Sequence, residues 1–68
     1  MQCLADRVRM ARTRSGISTD DLDRKAGLAI GHTYKIETGK RLSPSIETVA
    51  AIASALGVSI DWLITGIK

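Results

Sequence analysis

Glycine recurs at positions 16, 27, 39, 57 and 66, and between these breaks the apolar residues repeat with the period of a helix, not of a strand. Leu4, Val8 and Ala11 stand at i, i+4 and i+7 on one face of a first helix, which should stop at Ser15-Gly16. Ser18 and Thr19 are candidate N-caps of a second helix. Ser18 with Asp21 approximates a capping box, and Leu22 and Ala26 share the buried face. Gly27 breaks this helix in a left-handed conformation that glycine adopts cheaply. Leu28 through Thr38 reads as a third helix ended by Gly39. Its start is poorly specified, because Ala29 and Ile30 are weak caps and Gly31 costs about 1 kcal/mol against Ala. Ser45 caps a fourth helix with Val49, Ile52, Ala53 and Leu56 in one stripe; Ser59 caps a last short one carrying Trp62 and Leu63 and ended by Gly66. The predicted fold class is all-α, a compact five-helix bundle with residues 1–68 forming one domain.

A chain of 68 residues buries only about 60% of the surface it exposes when unfolded, so helix packing has to carry its stability. Cys3 is the only cysteine, which excludes an intrachain disulfide and suits a reducing compartment; it reads as a small apolar helix residue, not a nucleophile. No apolar run approaches the ~20 residues of a membrane span. The N-terminal stretch MQCLADRVRMAR carries charge every few residues, unlike a cleaved signal peptide. A cytoplasmic protein without membrane contact is expected. One His, one Cys and scattered acids offer no convergent acid, base or nucleophile, so no enzyme, cofactor or metal site is expected.

The net charge is +3, from ten Lys and Arg against seven Asp and Glu. Its placement is more informative than its size. Arg7, Arg9, Arg12 and Arg14 crowd the first segment, and Lys35, Lys40 and Arg41 form a second basic group. The default reading of both basic groups, and of the acids Asp20, Asp21 and Asp23, is solvated surface. Two short helices joined by Ala26-Gly27-Leu28, after an arginine-rich helix, meet the requirements of a helix-turn-helix over about 18–38.

Several blocks resemble the Cro/C1-type helix-turn-helix family, also called the XRE family, which includes phage repressors. They are Leu4-x3-Val8-x3-Arg12, Gly16-Ile17-Ser18-x3-Leu22, Lys25-Ala26-Gly27-Leu28, Ile36-Glu37-x-Gly39-Lys40-Arg41, Pro44-Ser45-x2-Thr48, and Ala55-Leu56-Gly57-Val58-Ser59-x-Asp61-Trp62-Leu63. The resemblance implies a lambda-repressor-like DNA-binding domain. It places residues 19–26 across the DNA backbone and 29–38 as a recognition helix in the major groove. It also implies that Arg12 pairs with Glu37, a structural role.

The family register turns Thr33 and Ile36 inward and Ile30, Gly31, Tyr34 and Lys35 outward, whereas periodicity alone would bury Ile30 with Tyr34. Thr19 stands where the family usually has Gln at the start of the second helix, and Ala29, Ile30 and Gly31 stand where Ser, Arg, Gln or Thr is usual in the first turn of the third. Base readout is expected from Ile30, Gly31, His32, Tyr34 and Lys35. Lys35 is the leading candidate, since a Lys donates to guanine O6 and N7. Phosphate contacts are expected from Thr19, at a helix start, and from Lys40 and Arg41. The implied function is a sequence-specific double-stranded DNA-binding regulator, a repressor, working as a homodimer through Ile60, Ile64 and Ile67. Those isoleucines equally suit a monomer core. The alternative is a protein-interaction module on the same fold, an antitoxin or adaptor, favoured by the apolar start of the third helix.

Overall fold

The computed structural model describes residues 3–40 and 44–67. It contains helices α1 (Leu4–Ser15), α2 (Thr19–Ala26), α3 (His32–Glu37), α4 (Ile46–Leu56) and α5 (Ile60–Thr65). Local signals account for most of these boundaries. Ser18, Ser45 and Ser59 each stand in an extended conformation before a helix, and each side chain accepts a hydrogen bond from the amide three residues on. At Ser18 the box is closed, because the Asp21 carboxylate accepts in return from the Ser18 amide. Glycines 16, 27, 57 and 66 end α1, α2, α4 and α5.

Every helix sends at least one residue into a common core: Val8 from α1, Leu22 from α2, Ile36 from α3, Val49 and Ile52 from α4, and Leu63 from α5. Leu28, just past the turn, is partly buried and packs against this cluster. Each such side chain removed from water contributes about 1.5–3 kcal/mol, which is how helices too short to persist alone are held. Thr33 and Ile36 face the core while Ile30 and Tyr34 lie exposed. The inward register of α3 is thus the one set by Glu37-x-Gly39, not the one Ile30 and Tyr34 suggest by spacing.

Four expectations need correction. The third helix begins at His32, not Leu28: residues 29–31 form a turn, and Gly31 is the N-cap with φ +105°. Cys3 is the exposed N-cap of α1, outside the helix, because the chain there is extended. Asp23 is fully buried, not solvated, since hydrogen bonds from α3 replace its water. Arg7 is also buried; its Nε donates to the Leu63 carbonyl at 2.7 Å and an Nη to the Ile64 carbonyl at 2.8 Å, satisfying the open end of α5. Among the described residues, no helix is long and apolar enough to cross a membrane.

Candidate nucleic-acid interface

The outward flank of the α2–α3 unit is assembled from α3 and the turns on either side of it. Ile30 precedes α3 and is 55% exposed, Tyr34 lies one helical turn later at 53%, and Lys35 follows it, exposed, in the last turn. Lys40 sits beyond the helix with its ammonium 5.8 Å from the centre of the Tyr34 ring, close enough for a cation–π contact. Tyr34 and Lys40 thus lie together, with Ile30 and Lys35 exposed beside them in the chain. His32 is half-buried, and its Nδ1 lies 3.3 Å from the Ala29 carbonyl. In the tautomer that donates there, only Nε2 remains free to accept. The Thr38 hydroxyl turns back onto the Tyr34 carbonyl at 2.8 Å.

Gly31 is in the turn, but its amide is already committed, donating to Asp23 Oδ2 at 2.9 Å. It shapes the edge and offers no donor. Thr19 is the first residue of α2, half-buried, with Asp20 and Asp21 in the same turn. Those carboxylates oppose a phosphate there, although Arg24 partly offsets Asp21 at 3.3 Å. Arg41, the remaining expected phosphate contact, lies outside the described residues.

Behind the edge, charged groups brace α3. Arg12 grips Glu37 with two parallel bonds, Nε to Oε2 at 2.6 Å and Nη2 to Oε1 at 3.0 Å, and its third nitrogen donates to the Ile17 carbonyl at 2.9 Å. The fork-to-carboxylate geometry is the strong form of the ion pair. The hydrogen bond to Glu37 raises the Arg12 pKa above its ordinary value, against desolvation, which lowers it; Coulombic attraction to Glu37 adds to the rise. Arg9 approaches the same carboxylate at 3.5 Å and donates to the Glu37 carbonyl at 2.8 Å. The Glu37 side chain is only 5% exposed.

The front end of α3 is held by Asp23. Its Oδ1 accepts from the Thr33 amide at 2.9 Å and the Thr33 hydroxyl at 2.7 Å, while Oδ2 takes the Gly31 amide. No side chain within α3 caps it, so this carboxylate from α2 does so from across the turn. Sequence reasoning missed Asp23, Arg7 and Arg9 as parts of the frame. A usable signal existed for Asp23: an acid next to core residue Leu22, facing a helix start without a cap of its own.

Residues 4–63 match the family model of a helix-turn-helix domain. The HTH-type transcriptional regulator DdrOP3 of Deinococcus deserti is 29% identical over 65 residues, which are 96% of this chain and 50% of that protein. The chain thus spans half the length of this relative. A crystal structure of the P22 c2 repressor protein in complex with a synthetic operator superposes with a TM-score of 0.89 at 25% identity, covering 98% of this chain and 100% of the other. Together with an α2–turn–α3 unit built on these residues, the matches show that the chain belongs to the helix-turn-helix family, of the Cro/C1, phage-repressor-like type.

Proposed function

We propose that this chain is a cytoplasmic, sequence-specific double-stranded DNA-binding regulator that represses transcription by laying α3 in the major groove. The carrying observation is the row of exposed side chains, Ile30, Tyr34, Lys35 and Lys40, on a rod whose opposite face is locked into the core. Likeness to a repressor described in complex with operator supports this orientation. Lys35 donates to base edges, Ile30 packs on a thymine methyl, and Tyr34 and His32 reach bases or phosphates. Lys40 and Arg41 neutralise phosphates.

Two copies read two half-sites with centres ~34–36 Å apart. Ile64 and Ile67, 44% and 71% exposed, supply the contact between copies; Ile60 packs against the core and contributes little there. A protein-interaction role, as an antitoxin or adaptor, is favoured by one observation, the apolar exposure of Ile30 and Tyr34.

Mobility shifts on matched and scrambled operators separate these readings. Lys35→Ala and Ile30→Ala should change which operator is preferred, while Lys40→Ala and Arg41→Ala weaken all sequences alike. Equal losses on both DNAs for all variants, or stable co-purification with a protein and no salt-dependent DNA binding, would overturn the assignment.

A further inference from the structure

We propose that Asp23 is a positioning residue for base readout: by holding Gly31 and Thr33 it sets the angle at which Ile30 and His32 leave the protein, without touching DNA. This rests on α3 entering the major groove.

A six-residue helix cannot maintain its own start, and α3 has no cap from its own side chains. The two residues that flank His32 are instead bonded to one carboxylate, Gly31 to Oδ2 and Thr33 to Oδ1. Asp23 is itself immobilised. It is fully buried beside Leu22, and its carbonyl accepts the Leu28 amide at 2.8 Å. A short side chain with three bonds has little freedom, so the direction of the turn follows that of α2. All three donors are uncharged groups of the base-facing segment. The carboxylate is therefore kept in the interior by hydrogen bonds from the conformation it imposes.

Two near-isosteric changes cut different strands of this grip. Asp23→Asn keeps one acceptor oxygen for Thr33 but sets its NH2 against the Gly31 amide, donor facing donor. Thr33→Val removes the hydroxyl and leaves the two amide bonds. The experiment measures affinities of wild type and both variants for the selected operator and for single base-pair changes across it. It is run where unfolding curves show each protein folded, with hydrogen exchange followed at the Gly31 and Thr33 amides.

For Asp23→Asn we expect faster exchange at Gly31. The matched-to-mismatched ratio should fall about tenfold, the scale of one specific base contact, at base pairs facing residues 30–32 and be retained at those facing Lys35. Thr33→Val should show a smaller change of the same pattern, and it carries the test if Asp23→Asn does not fold. An equal loss on every operator, or unchanged ratios with the amides deprotected, would overturn the proposal alone. A wild type that discriminates no sequence would overturn it together with the major-groove reading.

Discussion

Gly31 has φ +105° and open space where a Cβ would stand. Gly31→Ala therefore costs backbone strain and little else, about 1–3 kcal/mol. Thermal unfolding should show Tm lowered by roughly 4–8 °C for each kcal/mol; an unchanged Tm would mean that the turn relaxes freely. The glycine is visible in the sequence, but its job is not. As a residue inside a helix it is a small defect, and only the three bonds from Gly31 and Thr33 to Asp23 make it the hinge on which the helix starts. Asp23 was passed over for a similar reason. Beside Asp20 and Asp21 it looks like one more solvated acid, and its partners lie 8 and 10 residues away in the chain. The outward placement of Lys35 and Tyr34 was legible, because the Glu37-x-Gly39 anchor sets the rotation of α3 about its axis.

Three arginines of α1 tie it to two other helices, Arg9 and Arg12 to α3 and Arg7 to α5, and the ties differ in consequence. Arg12→Ala leaves the Glu37 carboxylate 5% exposed with only the half-exposed Arg9 beside it, at a cost of about 3–5 kcal/mol. Stabilities near 0.05–0.15 kcal/mol per residue mean that such a loss takes much of the total. Chemical denaturation should find Arg12→Ala largely unfolded, whereas Arg12→Met combined with Glu37→Met should recover most of the stability, since no charge is then stranded. If the double variant is as unstable as the single one, the pair's packing and not its charge is what matters. A raised Arg12 pKa gives stability that is fully present below the guanidinium's unfolded value and lost only as pH rises through its folded value, so unfolding between pH 5 and 9 should owe nothing to Arg12. Arg7→Met removes the donor that the Leu63 and Ile64 carbonyls share. Faster hydrogen exchange confined to α5 is expected; uniform destabilisation would contradict a capping role. The serine caps and glycine stops of α2, α4 and α5 could be read directly, because they are local chemistry. Arg7 could not, because its partners lie 56 and 57 residues on.

Five helices meeting in one core leave large apolar side chains exposed at Ile30 and Tyr34 beside and on α3, at Ile46 at the start of α4, and at Ile64 and Ile67 at the end of α5 and just past it. The five-helix architecture followed from spacing and family likeness. The carboxylates of Asp20 and Asp21 entered that reasoning as helix-start signals but were not weighed against a phosphate at Thr19, and they move the expected phosphate contacts toward Lys40 and Arg41. With those two residues in each of two copies, log affinity against log salt should have a slope of roughly −3 to −4. A slope near zero would remove the backbone contacts from the picture. The most direct test is selection from a random duplex library with the wild type and with Lys35→Ala. Enrichment of a two-fold symmetric sequence is expected, its half-site centres one helical turn apart, with the variant changing the preferred base at one position in each half. No enriched sequence, or the same sequence from both proteins, would contradict readout by this face of α3.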